Sequence, residues 1–245
     1  METINYEDLH FTDSNPNNIY NSGYYGKIKK CTFNNKIYAY KEFKNEKYLI
    51  SKKRKLSNLS EITIPGLIVP KYWVKKDKST NAYLTIFEDK DNISSLSKEN
   101  FEQKFKTLKN AKELILTMHK EGIIHSDLHS GNILFKNKIC SIIDFDNCTF
   151  KTYWTFKNDA NDYCRNFINV YGISPELDIF LFNLLTYEIL NDVKYYTLRK
   201  NISENKYGIF DNKEGIRICK SLFLDDKYPN KDFLIDTIDE TSFTI

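Results

Sequence analysis

The stretch that decides the fold runs from Ile123 to Asp146 and reads IIHSDLHSGNILFKNKICSIIDFD. An apolar pair leads into a polar loop that ends at Asn132, and residues 133–135 are then predicted to form a short strand. Residues 136–138 are typical of a turn, and residues 139–143 are predicted to form a second strand. Two strands joined by a tight turn are expected to bring the oxygen-bearing side chains of this stretch together.

Three of those side chains, Asp127, Asn132 and Asp144, indicate a phosphotransfer site. Hard cations such as Mg²⁺ take oxygen ligands and bind through one or two carboxylates plus the phosphates of a substrate. A further carboxylate beside such a site can accept the proton of a hydroxyl group. The alternative reading of the same residues is a structural hairpin with an acidic turn.

In order and spacing the stretch resembles the protein-kinase superfamily. His125, Asp127 and Asn132 match its His-x-Asp-x-x-x-x-Asn pattern, and residues 144–146 resemble its Asp-Phe-Gly triplet. The resemblance implies that ATP is the phosphate donor, that Asp127 is the catalytic base, and that Mg²⁺ is held by Asn132 and Asp144.

The resemblance also implies an α+β fold of two lobes. We expect a five-stranded antiparallel sheet plus a helix in an N-lobe of residues 19–90, followed by a mostly helical C-lobe of residues 91–245. The polar residues 1–18 are predicted to be an N-terminal extension of unknown role.

Residues 21–28 resemble the kinase glycine-rich loop, with Ile28 at the position of its valine. Gly23 and Gly26 would let backbone N–H groups approach phosphate, although a plain hairpin turn explains two such glycines equally well.

The next strand, residues 38–41, resembles the Val-Ala-Ile-Lys strand of the family. Ala39 would leave room for adenine and Lys41 would reach the nucleotide phosphates; the alternative for Lys41 is a surface lysine.

An imperfect apolar stripe predicts a helix over residues 45–59, and its basic run, residues 52–55, is expected on a solvated face. The resemblance implies that a helix glutamate orients Lys41, and Glu46 is the first choice. Glu61 has the more usual separation from the lysine but lies beyond the predicted helix end.

Residues 68–74 and 82–87 are predicted to be the last two strands of the N-lobe. By resemblance, the hinge residues Phe87, Glu88 and Asp89 would pair with the adenine edge, and Leu134 would lie beneath the ring.

Helical periodicity predicts a helix over residues 101–121 that ends at Gly122. A cap, an early proline and an almost wholly apolar run predict a buried helix that begins at residues 174–176. Asp178 in that helix either binds the catalytic-loop backbone, as the resemblance implies, or is a first-turn acid favoured by the helix dipole. The apolar patches at residues 216–224 and 233–238 predict two short helices.

Four residues depart from the protein-kinase pattern: Asn21, which stands at the first glycine of the glycine-rich loop, and Ser126, His129 and Asp146. Ser126 replaces an arginine that would pair with a regulatory phosphate, which favours constitutive activity. With His129 in place of lysine, the loop is similar to that of aminoglycoside and choline kinases and of atypical bacterial or phage-type kinases. Its imidazole could donate to the γ-phosphate.

Composition adds only broad limits. The formal charge of +3 gives no reason to expect nucleic-acid or membrane binding, and the five widely spaced cysteines are typical of reduced thiols. The polar N-terminus does not resemble a signal peptide, so we expect a cytoplasmic protein.

The residues together predict an enzyme that transfers the γ-phosphate of ATP to a hydroxyl-bearing acceptor, with Mg²⁺ as cofactor. A protein serine/threonine kinase is the first choice, and a small-molecule kinase of the aminoglycoside or choline type is the alternative. A pseudokinase scaffold that binds ATP without turnover is a third hypothesis, which the intact catalytic set argues against.

Overall fold

The structure of the protein, a computed structural model, describes residues 1–11, 21–22, 26–44, 46–77, 79–151, 168, 172–190, 223–224 and 228–229. The chain divides into two units. The first consists of Met1–Asp89 and Ile143–Asp146, and the second of Lys90–Ile142 and Asn147–Ile245.

A seven-stranded sheet forms the body of the first unit. Its strands are β1 (Glu2–Asn5), β2 (His10–Phe11), β3 (Asn21–Ser22), β4 (Gly26–Phe33), β5 (Lys36–Phe43), β6 (Tyr72–Lys76) and β7 (Ser79–Ile86). The hydrogen-bonded order is β1-β6-β7-β5-β4-β2, with β3 also paired to β4.

The hairpin of β4 and β5 is set by a two-residue turn. Asn34 and Asn35 both adopt positive φ angles, 48° and 59°, and asparagine tolerates this left-handed conformation better than most residues. The turn fixes the register, in which Ile28 lies opposite Lys41 and Lys30 opposite Ala39.

The five antiparallel strands predicted for the N-lobe are confirmed as β3 to β7, but two strands that were not predicted extend the sheet and make it mixed. The first eleven residues, expected to lie outside the N-lobe, add β1, which runs parallel to β6, and β2, which pairs with β4. Ile4 and Leu9 are buried in the core of this unit with Tyr40 and Val74. Burial of these apolar side chains gives the short strands their stability.

Helix α1 (Glu46–Leu59) packs on strands β5 and β7 of the same unit. Leu49, Leu56 and Leu59 of the predicted apolar stripe are fully buried, but Ile50, predicted to belong to the same stripe, is exposed. The expectation of a solvated basic face is wrong for Lys52 and Lys55, which are also buried. Both recur at helical spacing with the leucines and therefore share their face.

The second unit is built around helix α2 (Phe101–Lys120), which confirms the helix predicted there. The side chain of Asn100 caps its first turn by accepting a hydrogen bond from Gln103 N at 3.0 Å. Gly122 follows the helix with φ of 73°, a conformation that glycine adopts without steric cost.

Five short strands of the second unit lie between residues 91 and 150. They are β8 (Asp91–Asn92), β9 (Ile123–Ile124), β10 (Ile133–Lys136), β11 (Ile139–Ile142) and β12 (Thr149–Phe150). Of these strands, β9 and β11 pack against α2. Strands β10 and β11 form the predicted hairpin, whose turn residues Asn137 and Lys138 have positive φ angles. Strand β8 pairs with β10, and β12 with β9.

Helix α3 (Pro175–Leu190) confirms the buried helix predicted from residue 174 onward. The two predicted tail helices lie largely outside the described residues. Where the tail is described, Phe223–Leu224 forms a strand, β13, paired with Tyr228–Pro229, β14, and does not continue a helix. In the part of the chain that the structure describes, no helix is long and apolar enough to cross a membrane.

Candidate active site

The first unit brings Lys41, which is predicted to reach the phosphates, close to Asp144, which is predicted to hold metal. Lys41 projects from the middle of β5, and its ammonium Nζ lies 2.6 Å from Asp144 Oδ1. Lys41 is nearly buried, whereas about a third of the Asp144 side chain, 34%, is exposed. Because part of the Asp144 carboxylate is exposed, it can bind a metal ion without a rearrangement of the protein around it.

A second carboxylate, that of Asp146, contacts the same ammonium. Asp146 Oδ2 lies 2.6 Å from Lys41 Nζ, and its other oxygen, Oδ1, accepts a hydrogen bond of 2.6 Å from the hydroxyl of Tyr83. The backbone carbonyl of Asp146 accepts a further hydrogen bond, 3.0 Å long, from the buried ammonium of Lys55. Asp146 therefore connects strands β5 and β7 and helix α1 of the unit.

Electrostatics in this cluster favour a charged Lys41. Burial lowers the pKa of Lys41, but the carboxylates of Asp144 and Asp146 outweigh burial and hold the pKa above its ordinary value. Burial and the neighbouring carboxylate of Asp144 hold the pKa of Asp146 above its ordinary value, although the ammonium of Lys41 and the hydroxyl of Tyr83 act in the opposite direction.

Gly26 has a structural reason for being glycine. It lies buried in β4, and a Cβ atom there would collide with the backbone carbonyl oxygen of Glu42 in β5. The close approach of the two strands therefore accounts for the residue. Gly23, its predicted partner in a phosphate-binding loop, lies outside the described residues, so the role of both glycines toward phosphate stays a prediction.

The remaining predicted nucleotide contacts of the first unit lie on the sheet and at its end. Ala39 is half-buried in β5, and the hinge residues directly follow β7. The backbone N–H of Phe87 donates to Ile37 O at 3.2 Å, so this donor extends the sheet. The predicted adenine contacts of Phe87, Glu88 and Asp89 stay predictions.

Glu46 begins helix α1, but its side chain lies outside the described residues. Its pairing with Lys41 therefore stays a prediction. Glu61 is exposed in the turn after the end of α1, where the sequence placed it.

In the second unit, Asp178 of helix α3 holds the loop that carries Asp127. Its carboxylate is fully buried and accepts two backbone hydrogen bonds of 2.7 Å, from His125 N and Ser126 N. His119 Nε2 lies 2.9 Å from the same carboxylate. Of the two readings left open for Asp178, the structure confirms the loop anchor.

The loop is further ordered by its own side chains. The buried His125 Nδ1 accepts a hydrogen bond from Asp127 N at 3.3 Å, which makes His125 a scaffold residue. The amide Nδ2 of Asn132 donates to Asp127 O at 2.9 Å. Because its nitrogen is used in this way, Asn132 would present its side-chain oxygen to a metal ion.

His129 is held by the loop as well. Its Nδ1 accepts a hydrogen bond of 3.0 Å from Gly131 N, so a proton on the neutral ring lies on Nε2. A Cβ atom at Gly131 would lie 2.9 Å from the His129 ring, so glycine permits the close contact. The Nε2–H group is the donor that the predicted γ-phosphate contact requires.

Two residues of the candidate site have unusual backbone conformations. Ser126 and Asp144 both adopt φ of 66°, a left-handed conformation that costs energy in residues with side chains. Such strain persists where the surrounding structure fixes it, and it clusters at functional sites. The buried bond from Ser126 N to Asp178 Oδ1 fixes Ser126, and the contact with Lys41 fixes the side chain of Asp144.

The residues predicted to hold metal fit a hard divalent cation. Asp144 offers a partly exposed carboxylate, and Asn132 offers an amide oxygen. Oxygen donors of this kind, together with phosphate oxygens and water, suit Mg²⁺ better than a softer metal. Leu134 is half-buried in β10, directly after this loop.

Three residues of the cluster around Lys41 were missed at the sequence level: Tyr83, Asp146 as a ligand of Lys41, and Lys55. Lys55 gave a signal, because it recurs with Leu59 and Lys52 on the apolar face of α1. The sequence signal for Asp146 was weaker: it is a charged residue at the position where the Asp-Phe-Gly triplet has glycine.

Comparison with known proteins agrees with this geometry. The family model described as "Protein kinase domain" matches residues 19–238. The chain is also 27% identical over 195 residues to a protein of Acanthamoeba polyphaga mimivirus named "Putative serine/threonine-protein kinase L673". The aligned region covers 71% of this chain, and the chain spans about a third, 35%, of that relative.

Proposed function

Because the chain belongs to the protein kinase domain family, we propose that it transfers the γ-phosphate of ATP to a hydroxyl group of a protein serine or threonine. The observation that carries the proposal is the pair of Lys41 on strand β5 and Asp144 on a strained backbone, whose charged atoms lie 2.6 Å apart. The pair offers a cation for phosphate and a carboxylate for a metal ion.

Lys41 would bind and orient the phosphates, because its ammonium is charged and fixed by the sheet. When bound, Mg²⁺ would neutralise negative charge on the phosphates, and Asn132 and Asp144 would hold it. Asp127 would accept the hydrogen bond of the acceptor hydroxyl and orient that oxygen for attack. Catalysis of this kind depends on positioning and electrostatics more than on covalent chemistry.

The rigid loop supports activity over a scaffold role. Asp178, His125 and Asn132 make four hydrogen bonds to the backbone of residues 125–127, so the backbone that carries the Asp127 carboxylate is fixed. A binding module without turnover has no need of a fixed carboxylate at this position.

A protein acceptor is favoured by the family and by the name of the mimivirus relative. His129 favours the second candidate, a kinase acting on a small hydroxyl compound, because its Nε2–H group replaces the lysine of protein kinases. The two candidates share the donor chemistry and differ only in the acceptor.

The test is γ-phosphate transfer from labelled ATP with Mg²⁺, using wild type and Asp127→Asn. A basic protein is offered in one reaction and a panel of small hydroxyl compounds in another. We expect label on protein with wild type only, and a loss of at least about 10³-fold in kcat for Asp127→Asn with nucleotide binding retained.

Label on a small compound would replace the protein acceptor by the second candidate. Binding of ATP without transfer to protein, small compounds or the chain itself would contradict both and support the scaffold hypothesis.

A further inference from the structure

The cluster around Lys41 contains a carboxylate that the proposed function leaves without a role. Asp144 is expected to bind metal, and a metal ion on its oxygen would compete with Lys41 for that oxygen. A lysine that must orient phosphate during the reaction then needs a partner that the metal does not take. Glu46 is predicted for this role, but its side chain lies outside the described residues. Asp146 has the contacts that such a partner requires.

Both carboxylate oxygens of Asp146 are held by protein groups. Oδ2 lies 2.6 Å from Lys41 Nζ, and Oδ1 accepts the hydroxyl of Tyr83 at 2.6 Å. Only 5% of the Asp146 side chain is exposed, against 34% for Asp144. A buried carboxylate with both oxygens occupied is poorly placed to bind metal and well placed to fix an ammonium.

The elements that carry these groups are rigid. Lys41 and Tyr83 lie directly opposite each other on the neighbouring strands β5 and β7. The two side chains therefore meet the same carboxylate from one side of the sheet. Tyr83 is itself 2% exposed, so its hydroxyl has a fixed direction.

Lys55 fixes the backbone of Asp146. Its buried ammonium, carried by helix α1, donates a hydrogen bond of 3.0 Å to the backbone carbonyl oxygen of Asp146. A buried polar group is costly unless it is hydrogen-bonded, so this bond holds helix α1 and the Asp146 backbone together.

We propose that Asp146 is the positioning residue for Lys41, held by Tyr83 and Lys55, and that it keeps Lys41 directed at the phosphates when Asp144 binds metal. Helix α1 thus supplies a cation to the cluster, and the carboxylate comes from the end of the Asp-Phe-Asp triplet. This inference rests on the proposed function, because it assumes that Lys41 binds the phosphates of ATP.

The test compares nucleotide binding by wild type and Asp146→Asn, measured by calorimetry with Mg²⁺ and a non-hydrolysable ATP analogue, and separately with adenosine. Asparagine keeps the shape and can still accept the Tyr83 hydroxyl, but it removes the negative charge that faces Lys41. We expect the Kd of the ATP analogue to rise about tenfold or more, and the Kd of adenosine to change less than about twofold. Adenosine is the diagnostic ligand, because it has no phosphate for Lys41 to bind.

Two further variants sharpen the test. Tyr83→Phe keeps the charge of Asp146 but frees its orientation, and we expect a smaller loss in the same direction. Asp77→Asn is the matched control, because Asp77 is an exposed turn residue with φ of 54°, which asparagine accepts. Thermal unfolding of each variant shows whether the fold is retained.

Unchanged affinity for the ATP analogue in Asp146→Asn would overturn the inference while leaving the proposed function in place. An equal loss of affinity for adenosine and for the ATP analogue would also overturn it, because it would show a structural role only. Failure of wild type to bind the ATP analogue would instead contradict the proposed function itself.

Discussion

The single residue Glu188 shows how burial changes the protonation of a side chain. It lies in helix α3 with 4% of its surface exposed, in a segment whose other described residues are mostly apolar. Burial raises the pKa of its carboxyl to about 9, from an ordinary value of 4.5. The folded protein therefore holds a proton on Glu188 at neutral pH.

The raised pKa has a defined consequence for stability. The unfolded chain loses this proton near pH 4.5 and the folded protein near pH 9, so stability falls as pH rises between these values. At pH 7 the cost is about 3 kcal/mol. Glu188→Gln should remove this cost, because glutamine has similar shape and no charge to bury.

The measurement is the free energy of unfolding by urea at several pH values. We expect Glu188→Gln to be more stable than wild type at pH 7 and equal to it near pH 4, and its stability to vary less with pH. Glu113→Gln, at an exposed position of α2, is the matched control. Parallel pH profiles for wild type and Glu188→Gln would contradict the account.

At the element scale, helix α3 acts on the catalytic loop through one side chain. The two oxygens of Asp178 accept the backbone N–H groups of His125 and Ser126, each at 2.7 Å. Both donors belong to buried residues, so a lost acceptor would leave a buried N–H group unsatisfied. The helix and the loop are therefore expected to be coupled in stability and in activity.

Asp178→Asn tests that coupling. Asparagine has one oxygen and one NH₂ group, so one of the two buried N–H donors would lose its acceptor and face another donor. We expect a loss of about 1–3 kcal/mol in the free energy of unfolding and a lower kcat. Chemical denaturation and the transfer assay measure the two effects.

Asp91→Asn, an exposed change in the same unit, should alter neither quantity. Wild-type stability and kcat in Asp178→Asn would show that the loop is fixed without the helix.

On the scale of the whole molecule, elements with a strong local pattern could be predicted from the sequence. Helix α2 follows from helical apolar spacing, and helix α3 follows from an almost wholly apolar run after a capped start. The β10–β11 hairpin follows from two short apolar strands and the turn residues between them. The strands β1 and β2 could not be found in this way. They are two to four residues long, and only their pairing with β6 and β4 stabilises them.

The same limit applies to the site. Lys41, Asp144 and the loop of Asp127 could be identified because their residue types recur at a known spacing. The contacts of Asp146 could not, since Tyr83 lies 63 residues and Lys55 91 residues away along the chain. Such contacts depend on how β7 and α1 pack on β5, which no local pattern encodes.

The central claim is that Lys41 and Asp144 form a site for ATP and Mg²⁺. The most direct test is the affinity of wild type and Asp144→Asn for a non-hydrolysable ATP analogue, measured by calorimetry with Mg²⁺ and with EDTA. We predict that Mg²⁺ strengthens binding to wild type at least about tenfold, and that Asp144→Asn loses most of this gain because it lacks the charged ligand. Equal Mg²⁺ dependence in the two proteins, or no binding to wild type, would contradict the account.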